Sequence, residues 1–527
     1  LKKRILLVNE FSGLNTGYAV YGRNLLTELY KTNKYELAEL ATYLDPRDPR
    51  AKQFPWRVYP GVPQPDTPLM QQYSSDQSNQ FGKLLFEKVC LDFKPDCVCN
   101  FRDTWMDRFV DESPLRPYFR WGWMPTVDGV PQDPDWLSLY SRADGLFTYT
   151  DWSKQVLEDY GLSVVGSAPP VAEKCFQQAQ NKEELKKQLG FEGVKIIGMV
   201  SRNQARKQYP SLFKSFRAFM DRSGRNDIYL YIHSSNRDQG WDLPELIKEN
   251  GLGGRTILTY TCKSCGFCFP YLFCDENVKC KKCNQNTAIA SNVQVGIPPQ
   301  GLAQIYNLFD VYIQWANSEG FGIGQVEAAA CSVPIISVDY TAMADVGRKL
   351  NGETIEPLEL SKEVTTKRLM AIPDNEKLVE ALLEFFNLPT SIQRIKGYEA
   401  RQGFEEHYGS WSKTAQVWMN WINKVEPAKP WNSAPDIRGY PAFDKIPSYL
   451  SNSEFVKACI AHVLNDNSKL FSHMHLTLLR NLNYGFIPGI QNKQAIGRQE
   501  TYNICANLRN KINMWEQERV KCIIGKQ

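Results

Sequence analysis

The chain has 527 residues, a formal net charge of +4 and 43% hydrophobic residues. It is long enough for two or three domains with substantial cores, and no apolar run reaches the roughly 18 residues of a membrane span. The near-balance of charge neither requires nor excludes a polyanionic partner, because a local basic patch matters more than the sum. Fourteen cysteines would suit a secreted disulfide framework, but six of them fall between Cys262 and Cys283. Paired Cys-x2-Cys motifs in a large chain read as metal ligands, so the expected compartment is reducing and cytoplasmic.

The sequence begins at Leu1, which suggests that it starts inside a processed or longer chain. Its first residues mimic a basic, apolar leader, but the apolar run is short and Asn9-Glu10 ends it, so residues 3–9 read as a buried strand. A loop with Gly13, Thr16 and Gly17 follows, then an amphipathic helix through Leu29. Strand, glycine loop and helix together suit a phosphate; a plain turn needing positive φ at Gly13 or Gly17 is the other reading. Residues 44–68, rich in Pro, Asp and Arg, read as a long excursion rather than a core element. A helix is expected over 81–93 and strands over 96–101 and 121–124, the latter running into the polar loop Pro125–Pro131 with Asp128. A strand over 146–150 and a helix capped at Asp151-Trp152-Ser153 complete a first domain near residue 168.

Ala168–Val171 is a natural hinge. The helix 182–189 and the strand 194–200 open a second sheet, and Arg202, Arg206 and Lys207 follow that strand directly. Residues 228–233 form the next strand, ending at His233, which is either a satisfied structural histidine or a site residue. A helix over 243–250 and a strand over 256–260 precede the cysteine cluster. Cys262, Cys265, Cys280 and Cys283 form two Cys-x2-Cys knuckles with fourteen residues between them. Four such thiolates close tetrahedrally on one structural Zn²⁺, and Gly266 suits the knuckle turn; Cys268 and Cys274 are spare. An isolated ribbon this short lacks a core of its own, so metal is expected to supply much of its folding energy.

Residues 311–315 read as a strand, Ser318–Gly324 as a glycine-rich turn, Gln325–Ala330 as the start of a helix, and 334–338 as another strand. This is a parallel crossover unit. Its turn aims free backbone N–H groups at a ligand. Glu319 and Glu327 are separated by seven residues and can accept hydrogen bonds from hydroxyls; a glycine turn with two surface acids is the plainer reading.

Residues 299–340 closely resemble retaining GT-B glycosyltransferases of the glycogen-synthase-like and sucrose-synthase-like branch. The shared features are Gly301-Leu302-Ala303 with Tyr306, Asp310-Val311-Tyr312-Ile313, the Glu-x7-Glu pair and Val333-Pro334-Ile335-Ile336. The resemblance implies an α/β fold of two Rossmann-like domains facing across a cleft that holds the donor, here with a zinc-ribbon insertion and a C-terminal helical extension. It implies an N-terminal acceptor-side domain over 1–168 and a nucleotide-sugar domain over 169–407. The insertion covers 261–297, the crossover helix 408–425, and the extension 441–527. The implied donor is a nucleoside diphosphate sugar, and the implied activity is a hexosyl or pentosyl transfer with retention. Glu319, Gly320, Phe321 and Gly322 would hold the transferred sugar, and Glu327 the ribose.

By the same resemblance, Arg202 and Lys207 face the diphosphate, with Arg206 able to replace either, and no catalytic divalent metal is required. Solvated surface cations are the alternative. Thr16 and Gly17 match a glycine pair near the donor phosphates. Many relatives carry a histidine in the loop around Asp128; this chain has none before His233, so Asp128 is the positional substitute or simply caps a turn. The ribbon is expected near the mouth of the cleft. Its Lys263, Lys279, Lys281 and Lys282, with Phe267, Phe269, Tyr271 and Phe273, fit three uses: a structural or homo-oligomer contact, a nucleic-acid acceptor such as DNA with hydroxylated bases, or another acceptor. A small molecule, lipid, glycan or protein acceptor remains an alternative, as does a non-catalytic nucleotide-sugar or nucleic-acid binding protein. Residues 375–425 read as helical, 426–440 as a linker, and the helical tail to Gln527 matches no family pattern.

Overall fold

The computed structural model describes residues 2–431, apart from residue 66, residues 293–295 and residues 427–428; beyond 431 it describes only 456, 459, 460, 501, 503–505, 507 and 508. Those last few positions are helical. The rest of the expected tail lies outside the described residues.

The first sheet contains β1 (Lys3–Glu10), β2 (Tyr35–Thr42), β3 (Arg57–Pro60), β4 (Cys97–Asn100), β5 (Arg120–Trp123), β6 (Gly145–Thr148) and β7 (Val164–Ser167), in the order β3-β2-β1-β4-β5-β6-β7. β1 pairs in parallel with both β2 and β4. Strands covered on both faces need continuous apolar runs, and Ile5, Leu6, Leu7 and Val8 are all essentially inaccessible. The helix Gly17–Lys31 buries Tyr21, Gly22, Leu25, Leu26 and Leu29 at helical spacing and is capped by Thr16. Neither Gly13 nor Gly17 takes a positive φ, so a turn requirement does not explain them.

The expectation of an excursion over 44–68 is corrected in part: Arg57–Pro60 is the parallel edge strand β3. An edge position tolerates Pro60 and an outward Arg57, which is why its composition read as loop. β2 is unforeseen because Glu39 interrupts its apolar run. That carboxylate is fully buried, accepts from Ser12 N–H at 2.7 Å and Trp56 Nε1 at 3.1 Å, and burial pushes its pKa up to about 7.

The second sheet contains β8 (Lys195–Val200), β9 (Ile228–His233), β10 (Thr256–Cys262), β11 (Cys268–Leu272), β12 (Ala288–Ala290), β13 (Val311–Gln314), β14 (Ile335–Val338) and β15 (Glu353–Ile355). The order is β11-β10-β9-β8-β13-β14-β15, with β12 also on β10. From β10 to β15 this is the doubly wound order, and β8 and β13 flank the point where it reverses. Helices Tyr209–Ser223, Ile323–Ala330 and Asn375–Asn387 accompany it. The expected helical stretch 375–425 resolves into Asn375–Asn387, Thr390–His407 and Trp411–Ile422. An unforeseen hairpin, β16 (Glu359–Lys362) with β17 (Leu369–Ile372), follows β15.

The cysteine insertion is not an isolated ribbon. β10 runs on into Cys262 and pairs antiparallel with β11 and β12. Phe269, Val278, Cys280 and Ala288 belong to the same apolar cluster as Leu230 and Leu258. The insertion therefore shares the core of the second sheet.

The chain divides into two compact units, Leu1–Pro125 with Arg142–Leu146 and Met419–Gln527, and Thr126–Ser141 with Phe147–Trp418. Within the first, Lys3 Nζ donates to Ile422 O at 2.9 Å and Tyr35 Oη to Asn423 Oδ1 at 2.8 Å. Among the described residues no helix is long and apolar enough to cross a membrane.

Gly198, in the centre of β8, faces Phe309: a Cβ built there would overlap that ring. Gly198→Ala is expected to destabilise the chain by about 1–3 kcal/mol, measured as a lower Tm by calorimetry.

Candidate active site

The site residues converge at the carboxyl ends of β8 and β13, where the strand order reverses and neighbouring connections diverge. Two loops meet there. The Ser201–Gln208 loop leaves β8, and the Trp315–Gly322 loop leaves β13. An antiparallel bridge joins Lys207 to Ala316. Asn317 N–H donates to Arg206 O at 2.9 Å, and Gln208 N–H to Trp315 O at 3.2 Å. Asn203 is buried and anchors the first loop: its Oδ1 accepts from Trp241 N–H at 2.8 Å and its Nδ2 donates to Trp241 O at 2.7 Å.

Glu319 sits at the centre, 5% exposed. Lys207 Nζ closes directly on its Oε1, and Arg206 lies 3.4 Å from its Oε2. Gln314 Nε2 donates to Oε1 at 2.8 Å. The Glu319 N–H donates to Thr341 Oγ1 at 3.2 Å. Tyr312 Oη, 2.9 Å from Gln314 Oε1, orients the amide. Burial, and then the Arg206 cation, press the Lys207 ammonium well below the ordinary lysine range. With Lys207 closed on Glu319, the partly exposed Arg206 is a second basic group beside it that an incoming anion could engage.

The turn after Glu319 is shaped by glycine. Gly322 takes φ +88 and caps the helix Ile323–Ala330, a conformation that costs other residues strain. Among the described residues no hydrogen bond ties the amides of Gly320, Phe321 or Gly322. A Cβ on Gly320 would lie 2.5 Å from Thr126 Cγ2 and 3.8 Å from Asp128 Cβ, so the Asp128 loop lies against this turn. Phe321 is buried edge-on to Tyr408, at 5.7 Å. On the helix, Glu327 Oε2 accepts from Tyr306 Oη at 2.8 Å, and burial raises the Glu327 pKa to about 7.

The other expected residues have partners of their own. Arg202 is half exposed and forms a two-point pair with Asp238, at 2.7 and 3.3 Å, so Arg206 rather than Arg202 accompanies Lys207 at Glu319. His233 shares its Nδ1 with Thr259 Oγ1 at 2.8 Å, and burial pushes its pKa down to about 4, so it is neutral near pH 7. Asp128 is ion-paired with Arg368. Thr16 and Gly17 lie in the first unit, at the carboxyl end of β1. Thr16 accepts from Ala19 N–H and donates to the Glu10 carboxylate, and a Cβ on Gly17 would meet open space. Gln314, Thr341 and Arg368 escaped sequence reading, and Tyr306 entered it as part of the shared pattern without a role. Of the three, Gln314 carried a signal, as a polar residue ending a buried strand.

The thiols of Cys262, Cys265, Cys280 and Cys283 lie within 4.8 Å of one another, with Cys262–Cys283 at 3.6 Å and Cys265–Cys280 at 3.7 Å. A tetrahedral thiolate site with metal–sulfur bonds of about 2.3 Å has edges of about 3.8 Å. The cluster fits a structural metal ion. Cys268 instead approaches Thr261 and Gly266 O.

Residues 275–401 match the family described as Glycosyl transferases group 1. Three solved structures share the fold over 80% of this chain. Sucrose-phosphate synthase from Thermosynechococcus elongatus is matched over 100% of its length, at 16% identity and TM-score 0.58. HepE from Anabaena, solved with UDP and glucose, is matched over 100% at 13% identity and TM-score 0.55. A glycosyltransferase from Rickettsia africae is matched over 98% at 14% identity and TM-score 0.54. The family match and the fold support a GT-B glycosyltransferase. Compared by sequence with the curated proteins, the chain matches none. The family match is consistent with a nucleotide-sugar donor.

Two predictions follow from the buried groups. A carboxylate whose folded pKa is raised opposes folding once pH climbs from its ordinary value towards 7 and beyond. Glu327→Gln is therefore expected to raise Tm at pH 8 and to leave it nearly unchanged at pH 5, in paired thermal scans. Elemental analysis of the full chain is expected to give one metal ion per chain, lost in Cys262→Ser/Cys283→Ser with a fall in Tm, because the cluster shares the core of the second sheet.

Proposed function

We propose that the chain is a retaining glycosyltransferase that moves a sugar from a nucleoside diphosphate sugar to a hydroxyl acceptor. The carrying observation is the buried Glu319, gripped by Lys207 and Arg206 beside the glycine turn, with Glu327 eight residues on. In this reading Glu319 accepts hydrogen bonds from the sugar hydroxyls, and the amides of Gly320, Phe321 and Gly322 donate to the sugar. Glu327 accepts from the ribose diol. Arg206 and Lys207 face the diphosphate, with Arg202 behind them on Asp238. The bond between the anomeric carbon and the phosphate oxygen breaks on one face of the sugar. The acceptor oxygen bonds to carbon on that same face, and its proton passes to the departing phosphate oxygen. Two fixed cations stabilise the charge that develops on that phosphate, which is work a divalent metal does in other enzymes. Asp128, beside Gly320, is the candidate partner for the reacting sugar. The four-thiolate cluster holds Zn²⁺ as a structural ion.

For the acceptor, the exposed Lys263, Lys279, Lys281 and Lys282 on the insertion favour a polyanion, and DNA bearing hydroxylated bases fits a hydroxyl acceptor. Lys282 and Lys281 lie 6.0 and 5.8 Å over the Phe267 and Phe269 rings, and Tyr271, edge-on to Phe269, is exposed, so cations and an aromatic ring share this surface.

The donor test is release of nucleoside diphosphate from a panel of UDP-, GDP- and ADP-sugars. Slow release from one donor is expected, and Glu319→Ala should lower it at least about a hundredfold with the chain still folded; a fully active Glu319→Ala refutes the assignment. For the acceptor, changing the four lysines to Glu preserves the shared core. It should abolish a salt-sensitive shift of DNA; an unchanged shift refutes the DNA reading, and loss of a dimer instead marks the ribbon as an oligomer contact.

A further inference from the structure

The hairpin of β16 and β17 ties the Glu319 loop to the Asp128 loop. Ala371 N–H donates to Asn317 O at 3.0 Å, and Asn317 Nδ2 donates back to Ala371 O at 2.6 Å. Two residues earlier, Leu369 N–H donates to Val130 O at 2.7 Å, and Tyr340 Oη donates to Leu369 O at 2.8 Å. Tyr340 directly precedes Thr341, whose hydroxyl accepts the Glu319 amide. Just before β17, Arg368 closes on Asp128. Its guanidinium lies 5.6 Å over Trp136, and its Cδ would sit 3.1 Å from a Cβ on Gly129.

This arrangement is not explained by burial of the hairpin's own apolar residues. Leu358 and Val364 are 68% and 92% exposed, and Leu360 is exposed on β16. What fixes the hairpin is the β17 side, where it meets Asn317, Tyr340 and Val130. The Arg368–Asp128 pair there is largely buried, with side chains 15% and 23% exposed. A charge-assisted bond in such a place holds a carboxylate in one orientation, and reaction rates fall steeply when a contacting group is displaced by about 1 Å.

We propose that Arg368 is a positioning residue of the transfer site. It fixes Asp128 beside the Gly320 turn as the carboxylate that accepts a hydroxyl of the transferred sugar, and the hairpin makes that placement depend on the Glu319 loop. This rests on the donor reading of Glu319 given above. The Nε–H of Arg368, buried and with no partner among the described residues, is a further donor for a substrate oxygen.

The test is steady-state donor hydrolysis by the full chain carrying Arg368→Ala, Arg368→Lys, Asp128→Asn, or Arg368→Ala with Asp128→Asn. Arg368→Ala and Asp128→Asn should each lower kcat about tenfold or more with donor KM within about threefold; the double variant should be no worse than the worse single one, and Arg368→Lys should recover part of the loss. Wild-type kcat in Arg368→Ala, a loss confined to KM, or losses that multiply in the double variant would overturn the proposal. If Arg368→Ala lowers Tm sharply, Arg368→Gln takes its place in the same comparison. Glu319→Ala run alongside separates the two readings: full turnover there defeats the donor site itself, whereas an inactive Glu319→Ala beside a fully active Arg368→Ala defeats only the hairpin's role.

Discussion

A buried carboxylate must be held by opposite charge and hydrogen bonds or it will not stay ionised, and Glu319 shows how much of the second sheet is arranged to meet that demand. Lys207 and Arg206 come from the loop after β8, Gln314 from the end of β13, and Thr341 from the helix after β14. The four come from three separate places along the carboxyl edge, so the carboxylate is fixed only when that edge is assembled. A buried ammonium with a second cation beside it is poorly tolerated, as the depressed Lys207 shows. A diphosphate would relieve it. The same groups that make folding harder thus make anion binding favourable.

The sheet order makes this convergence possible. β8 and β13 are neighbours whose connections run to opposite sides, which opens space at their carboxyl ends. The glycine turn fills it with amides rather than side chains, since Gly320 packs on Thr126 and Gly322 adopts a left-handed backbone. The cysteine insertion grows from the same sheet. β10 continues into the first knuckle, and β12 pairs with the end of β10, where Thr261 and Ser291 hydroxyls meet at 2.7 Å. A metal held by the four thiolates would stiffen β10 as well as the insertion, coupling metal occupancy to the stability of the fold around the site.

Much of this was legible in the sequence, and what escaped did so for identifiable reasons. Strands buried on both faces announce themselves by unbroken apolar runs, so the bounds expected for Ile228–His233 coincide with β9. The turn and helix around Glu319, Gly322 and Glu327 were legible because a glycine turn running into small residues is a local pattern. β2 was hidden by Glu39, whose burial depends on Ser12 and Trp56 far along the chain. The hairpin was hidden because β16 is fully exposed and polar, leaving no periodic apolar signal. Choosing between Arg202 and Arg206 needed the path of their loop, which Asn203 sets by gripping Trp241. The pairing of Asp128 with Arg368 spans 240 residues of sequence and has no local trace.

Glu319 and Glu327 are proposed to hold one nucleoside diphosphate sugar between them. An experimental structure of the chain with its donor and an inert acceptor analogue tests this most directly. Sugar hydroxyls are expected within hydrogen-bond distance of the Glu319 carboxylate and the Gly320–Gly322 amides, the ribose diol on Glu327, and the diphosphate on Arg206 and Lys207. A nucleotide bound elsewhere, or a Glu319 still closed on Lys207 with no sugar in reach, would contradict it.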